Sequence, residues 1–265
     1  MQPNKTVLLI RSILRGGRLA LLPPYHADGI TLHHGDCRDI LAHNLLFSLD
    51  DPVGLLILDP PSAPTRAGNP SRTPGGDQGP EGMWRTLTAT RQTIALAIPL
   101  LAWDAHVLVF ASLTTWPAVC SLLSPFVPVQ ELLVWQQQAT HGGRARSRPA
   151  DSRTVIVHAS TTSPRHAALD VALPTIAPVT TPVRWNPAEK PLDLLAHVIE
   201  RYCPPDGLVL DPFARSGSTL VAAQRLRRRA VGVERDLSRF AFVAQRLHTT
   251  RSRTRRAGTP ASQGS

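Results

Sequence analysis

The chain has 265 residues, long enough to bury a full hydrophobic core, and is most simply one domain with insertions. It has no run of about twenty apolar residues, and Met1 does not open a signal-peptide pattern. These features argue against a membrane-spanning or secreted protein, so we expect a soluble, cytoplasmic one. Cys37, Cys120 and Cys203 lie far apart without metal-ligand spacing, so the cysteines predict neither a disulfide framework nor a zinc site.

The chain is strongly basic. Its 29 Lys and Arg residues exceed its 19 Asp and Glu residues, for a formal net charge of +10, and only Lys5 and Lys190 are lysine. Arginine binds phosphate bidentately and stacks on bases, which suits a nucleic-acid partner. A GC-rich coding sequence would produce the same preference for arginine, so composition alone leaves both interpretations open.

The first half of the chain alternates apolar runs with segments of helical periodicity. Residues 1–24 form an N-terminal extension whose apolar residues suit a helix or a strand. The continuous apolar run at residues 55–58 is typical of a strand buried on both faces of a parallel sheet. The other predicted elements here are strands at residues 30–33 and 106–111 and helices at residues 38–47 and 84–103.

The second half ends in three amphipathic helices. Strands are predicted at residues 129–135 and 154–159, paired as a hairpin at the sheet edge, after a helix near residues 117–123. The basic tail, residues 249–265, is predicted to be disordered. The three helices are predicted at residues 192–202, 219–227 and 237–248.

Three segments are too rich in Gly, Pro, Ser, Thr or Arg to build core elements. Residues 62–82 directly follow an apolar strand, where a substrate loop or lid is common in enzymes. Residues 136–152 form a second candidate substrate loop. Residues 160–185 are predicted to be a linker.

The most informative segment is Leu208-Val-Leu-Asp-Pro-Phe-Ala-Arg-Ser-Gly-Ser-Thr219. A strand ending in an acid, followed by a small-residue loop and a helix, makes a nucleotide-sized pocket. Val231-Gly-Val-Glu234 indicates a second strand ending in a carboxylate, placed to accept hydrogen bonds from a ribose. A third such strand is Leu55-Leu-Ile-Leu-Asp-Pro-Pro61.

Together these segments resemble the DNA amino-methyltransferases, which methylate an exocyclic base nitrogen using S-adenosylmethionine. That family's cofactor loop usually has Gly where this chain has Arg215, and its catalytic motif Asp-Pro-Pro-Tyr is here Asp59-Pro-Pro-Ser62. Segments 25–37 and 186–195 also resemble family segments, and the order of motifs matches the circularly permuted beta class. The resemblance runs from about Tyr25 to about Leu247, and we take residues 25–248 as the methyltransferase domain.

The resemblance implies the fold and the cofactor site. We expect a Rossmann-like, doubly wound α/β fold with a mostly parallel seven-stranded sheet, in which Asp59 and Asp211 end adjacent central strands. Glu234 would accept ribose hydroxyls, Asp36 the cofactor's adenine amino group, and Lys190 would border the methionine carboxylate. Asp36 as a solvated aspartate and Lys190 as an ordinary first-turn residue remain alternatives. The other implied cofactor-binding residues are Cys37, Asp211, Pro212, Phe213, Ala214, Ser216, Gly217, Ser218 and Thr219.

The implied catalytic residues are Asp59, Pro60, Pro61 and Ser62. An exocyclic amine is a poor nucleophile, so the Asp59 carboxylate and the Pro60 carbonyl would both accept hydrogen bonds from it. Taken alone, Asp-Pro-Pro is more often a cap or turn. Ser62 cannot stack on a base; either Trp84 or Trp135 substitutes, the base pocket is degenerate, or the loop has shifted.

The expected partner is duplex DNA with the target base flipped out, as in a restriction-modification system. We predict adenine N6 over cytosine N4 as the acceptor, and a homodimer is compatible with the pattern. Two alternatives stay open: a degenerate relative that binds cofactor or DNA without activity, and a methyltransferase of RNA or a protein amide. The predicted phosphate contacts, which a merely solvated loop would equally explain, are Arg144, Arg146, Arg148 and Arg153.

Overall fold

A computed structural model describes residues 22–43, 52–60, 80–136, 153–162 and 189–257. The chain forms two compact units: a first unit from Met1–Asp51 with Thr181–Ser265, and a second unit from Pro52–Thr180. The strands are β1 (Tyr25–Ala27), β2 (Ile30–His34), β3 (Val53–Leu58), β4 (Leu101–Ala111), β5 (Val129–Gln136), β6 (Arg153–Ser160), β7 (Leu208–Asp211) and β8 (Arg229–Glu234). The helices are α1 (Cys37–Ala42), α2 (Pro80–Ala97), α3 (Trp116–Leu123), α4 (Leu192–Tyr202), α5 (Ser218–Arg225) and α6 (Leu237–Ala257).

The strands of the first unit run in the order β1-β2-β8-β7. β2, β8 and β7 are parallel, and β1 pairs antiparallel with β2. Gly232 in β8 lets helix α5 pack directly on the sheet, because a Cβ there would lie 2.7 Å from Leu220 Cδ1. The Val-Gly-Val pattern of β8 is therefore a packing requirement.

The strands of the second unit run in the order β3-β4-β6-β5. β3 and β4 are parallel, and β6 is antiparallel to both of its neighbours. Every residue of β3 is buried, as its continuous apolar run predicts. The predicted hairpin is confirmed: β5 and β6 pair antiparallel, with β5 at the end of this strand order.

Helix α2 corrects two predictions. It begins at Pro80, so the end of the predicted loop 62–82 is helical, which fits the tolerance of proline in a helix's first turn. It ends at Ala97 rather than at residue 103, where a 3-10 turn, Ile98–Leu100, leads into β4. Pro99 lies in that turn and cannot continue the hydrogen bonding of an α-helix.

Helix α6 corrects the predicted tail. It continues to Ala257, so residues 249–257 are helical rather than disordered. The hydroxyls of Thr249 and Thr250 donate to the carbonyls of Gln245 and Arg246, one turn earlier. The basic composition predicted disorder, but the arginines of this segment are also strong helix formers.

Other boundaries differ by a few residues. β6 extends to Ser160, and the Thr161 hydroxyl donates to the Trp103 carbonyl, so the predicted linker 160–185 begins inside ordered structure. Helix α1 spans six residues, and residues 44–51 lie outside the described ranges. Residues 1–21, 163–188 and 258–265 also lie outside them, so the predicted domain limits stay a prediction. No helix of the described part is long and apolar enough to cross a membrane.

Candidate functional site

Acidic side chains collect at the carboxyl edge of the first unit's parallel strands. His34 of β2 pairs with Glu234 of β8, and Gly232 of β8 pairs with Asp211 of β7. Asp36 follows β2 by two residues. Because neighbouring strands lie about 4.8 Å apart, β2 and β7 are roughly 10 Å apart, the scale of a nucleoside. The edge of this sheet is thus a crevice of the kind that binds ligands in open α/β proteins.

Asp211 organises the loop at residues 211–217. Its side chain is buried, and its Oδ1 accepts the Phe213 backbone N–H at 2.9 Å. The loop is fastened to β8, because the Ala214 N–H donates to the Val233 carbonyl at 2.9 Å. Gly217 closes the turn by donating to the Ala214 carbonyl. The predicted strand-loop-helix arrangement is therefore present.

Two residues of this loop have left-handed backbone conformations. Gly217 has φ 74°, and a Cβ there would lie 2.4 Å from Val243 Cγ1, so only glycine fits. Arg215 has φ 46° at the position where the family that the sequence resembles usually has glycine. A non-glycine residue in this region is strained by about 1–2 kcal/mol. The loop therefore keeps its shape at a conformational cost.

Glu234 is buried at the end of β8. Its Oε1 accepts the Asp236 N–H at 2.7 Å. Burial raises the pKa of this carboxyl, and hydrogen bonds from the backbone of Asp236 and Arg215 oppose that rise. A carboxylate has about four acceptor sites, so two such bonds leave capacity for a diol. The surroundings fit the predicted ribose contact.

Asp36 has an additional local role. It caps helix α1 by accepting the Arg38 N–H at 3.0 Å, and the Arg38 guanidinium donates to both of its oxygens at 2.9 and 2.8 Å. The side-chain hydrogen bond from Arg38 is the main reason that the pKa of Asp36 is lowered. Asp36 is thus neither a simple solvated aspartate nor an uncommitted acceptor. Cys37, the first residue of α1, is buried.

Sequence reasoning missed a buried ion pair behind the loop. Arg246 of α6 lies 2.6 Å from the Glu189 carboxylate and donates to the Ser216 carbonyl at 2.8 Å. The Ser218 hydroxyl also donates to Glu189, at 2.6 Å. Glu189 immediately precedes the half-buried Lys190, so its place in segment 186–195, which resembles a family segment, was the available signal.

The second unit holds Asp59 and Pro60, both half-buried, directly after β3. Trp135 is only 2% exposed, so this ring cannot stack on a base as it stands. The Trp84 side chain and residues Pro61 and Ser62 lie outside the described part. Asp59 and Asp211 are in different units, so their expected adjacency stays a prediction. The loop residues Arg144, Arg146 and Arg148, and the side chain of Arg153, also lie outside it.

The donor chemistry of the first unit suits a nucleoside cofactor. Among the described residues, no group of three or more His, Cys, Asp or Glu side chains could hold a metal ion. Buried Glu234 and the close backbone turn at Gly217 instead provide a diol acceptor and a cradle that a Cβ would fill. The fold and this edge define an α/β protein with a crevice at the carboxyl ends of its parallel strands.

Parts of the chain are similar in sequence to known proteins. Residues 134–245 match a family described as DNA methylase. The chain is 51% identical over 51 residues to the YubD protein of Escherichia coli (strain K12), covering 19% of this chain and 22% of YubD. It is 38% identical over 63 residues to the type II methyltransferase M2.MboI of Moraxella bovis, covering 24% of this chain and 23% of that protein. The matched segments thus span less than a quarter of these relatives.

Structural similarity extends much further. The crystal structure of an M1.HpyAVI–SAM complex superposes with a TM-score of 0.61 at 20% identity, covering 82% of this chain and 98% of that one. The predicted α/β, Rossmann-like fold class is therefore confirmed. Residues 134–245 are thus similar in sequence to the DNA methylase family, and the fold resembles that of the M1.HpyAVI structure over most of the chain.

Proposed function

We propose that this protein transfers a methyl group from S-adenosylmethionine to an exocyclic amino group of a DNA base. The observation that carries the proposal is the carboxyl edge of the first unit, where buried Asp211 and Glu234 flank a loop with a glycine-only turn. Asp211, Glu234 and the loop between Asp211 and α5 lie within residues 134–245, the part of the chain that matches the DNA methylase family.

In this proposal the first unit holds the cofactor. Glu234 accepts hydrogen bonds from the ribose hydroxyls, and Asp211 keeps the loop in the shape that surrounds the methionine and ribose side. Asp36 retains oxygen lone pairs for the adenine amino group beside its bonds to Arg38. S-adenosylmethionine supplies an electrophilic methyl group when bound. The remaining contacts are assigned to Cys37, Lys190, Pro212, Phe213, Ala214, Ser216, Gly217, Ser218 and Thr219.

The second unit supplies the groups that prepare the acceptor. The lone pair of an exocyclic amine is delocalised into the base, so the nitrogen must be made pyramidal before it can attack. The Asp59 carboxylate and the Pro60 carbonyl both accept hydrogen bonds from the amine, which favours that geometry. Pro61 restricts the backbone, and Ser62 takes the position that follows the two prolines. Aspartate at position 59 favours adenine N6 over cytosine N4.

Duplex DNA with a flipped base is the proposed substrate, with a methylation role in restriction-modification. The net charge of +10 supports a polyanionic partner. Arg144, Arg146, Arg148 and Arg153 are the proposed phosphate contacts. We also place the protein in the cytoplasm, where its DNA substrate is found.

The test is transfer of a tritiated methyl group from S-adenosylmethionine to duplex DNA, single-stranded DNA, RNA and protein. Wild-type protein should label duplex DNA most strongly. Asp59→Ala should abolish labelling while cofactor affinity stays within about threefold, because Asp59 acts on the acceptor. Asp104→Ala, an exposed aspartate of the same unit, is the matched control and should keep full activity. Equal loss of labelling and cofactor affinity in Asp59→Ala would assign Asp59 a structural role instead.

A second candidate is a relative that binds the cofactor without methylating. The strained Arg215 and the engagement of both Asp36 oxygens by Arg38 favour it, since each departs from an open, glycine-lined site. Cofactor binding without labelling of any substrate would select this candidate. Labelling of RNA or protein in preference to DNA would select a methyltransferase of that substrate class.

A further inference from the structure

The ion pair between Glu189 and Arg246 contacts the cofactor loop, which is the loop at residues 211–217. Glu189 is 5% exposed at its side chain and Arg246 is 20% exposed, and their charged atoms are 2.6 Å apart. Glu189 comes from the segment before α4, whereas Arg246 comes from α6. Two segments distant in sequence therefore meet behind the loop.

The pair bonds to the loop and to the first residue of α5. Arg246 Nη1 donates to the Ser216 carbonyl at 2.8 Å and lies 3.3 Å from the Ser218 Oγ. Ser218 donates to Glu189 at 2.6 Å, and the Ser216 and Ser218 hydroxyls are 3.0 Å apart. These bonds enclose Gly217, the residue whose left-handed backbone sets the turn.

A buried ion pair is a weak source of net stability, because desolvating both charges offsets much of their attraction. Its geometric effect is stronger, since charge-assisted bonds are short and directional. Here that effect falls on a loop in which Arg215 has a strained left-handed conformation, which would relax readily if the loop were released. The pair is therefore best placed to fix loop shape.

We propose that Glu189 and Arg246 are positioning residues that hold residues 214–218 in the conformation that binds S-adenosylmethionine. This inference rests on the proposed function of the same site. Neither residue needs to touch the cofactor: Arg246 acts through the Ser216 carbonyl and the Ser218 hydroxyl, and Glu189 acts through the Ser218 hydroxyl. The pair determines cofactor affinity and leaves the methyl-transfer step itself nearly unchanged.

The test compares Glu189→Gln, Arg246→Met and the double variant with the matched control Gln245→Met, an exposed neighbour on α6. Each single variant should weaken S-adenosylmethionine binding about tenfold, the factor expected for one lost charge-assisted hydrogen bond. kcat at saturating cofactor should stay within about threefold, since the loss falls on cofactor binding and not on the transfer step. The double variant should bind more tightly than the two separate losses predict, because neither charge is then left unpaired.

Hydrogen exchange supplies a readout that does not depend on methylation. Amides of residues 214–218 should exchange faster in the single variants and at the wild-type rate in Gln245→Met. Arg246→Lys, which keeps the charge but has a single ammonium donor group, should fall between wild type and Arg246→Met and serves if the latter does not fold.

Three outcomes would overturn the proposal: unchanged affinity and exchange in folded single variants, a fall in kcat as large as the fall in affinity, or strictly additive losses in the double variant. A wild-type protein that neither binds the cofactor nor labels DNA would instead refute the proposed function. The exchange measurement would still test the effect of the ion pair on the loop.

Discussion

Gly217→Ala tests whether the cofactor loop depends on a residue without a side chain. The alanine would have to adopt φ 74°, which costs about 1–2 kcal/mol. Its Cβ would lie 2.4 Å from Val243 Cγ1, and such overpacking of a buried site costs about 1–3 kcal/mol. Lower entropy of the unfolded alanine chain returns about 0.4–1 kcal/mol. The net loss of unfolding free energy should therefore be about 1–5 kcal/mol, by adding these terms.

The assay is urea unfolding of wild type, Gly217→Ala, Val243→Ala and the double variant. Truncating Val243 removes the γ-methyl that the new Cβ would meet, so the double variant should be more stable than the sum of the single losses by about 1–3 kcal/mol. The backbone strain at φ 74° should persist in both backgrounds. Additivity within about 0.5 kcal/mol would refute the steric part of the reasoning.

Three further predictions concern the first unit. In urea unfolding, the unfolding free energy of Arg215→Gly should exceed that of Arg215→Ala by about 1 kcal/mol, because only glycine relieves the strain at φ 46°. Arg235 is exposed and not left-handed, so as a control Arg235→Ala should be more stable than Arg235→Gly. Burial, aided by repulsion from His26, lowers the pKa of His33 to about 4, so protons bind the unfolded chain preferentially. The unfolding free energy should therefore fall as the pH drops from about 6.5 to about 4, and His33→Gln, but not exposed His197→Gln, should flatten that dependence. Glu234→Ala should weaken cofactor binding, measured by calorimetry, more than it lowers kcat. An unchanged affinity would show that Glu234 does not contribute to the cofactor site.

The sequence predicted elements best where one buried face dominates. Helix α4 has the predicted limits, 192–202, because its apolar residues follow one stripe. The sequence also predicted that β7 and β8 end in acidic residues, Asp211 and Glu234. In each strand the apolar run of a buried strand stops at the carboxylate. The loop between Asp211 and α5 was predicted from its small residues.

What the sequence could not reveal depends on contacts between distant residues. Arg246 was assigned only to an amphipathic helix, and nothing in a linear pattern pairs it with Glu189, 57 residues earlier. The Arg38 side chain on Asp36 was missed because arginine two residues after an acid is common on surfaces. The left-handed φ of Arg215 could not be predicted, since the sequence does not fix the turn geometry.

The central claim is that this protein methylates an amino group of a DNA base. Its most direct test is mass spectrometry of nucleosides from the DNA of a methylation-deficient host that expresses either wild-type protein or Asp59→Ala. The proposal predicts N6-methyladenine with wild type and none with the variant. Folded, cofactor-binding wild-type protein that leaves no methylated amino base in the DNA would contradict it.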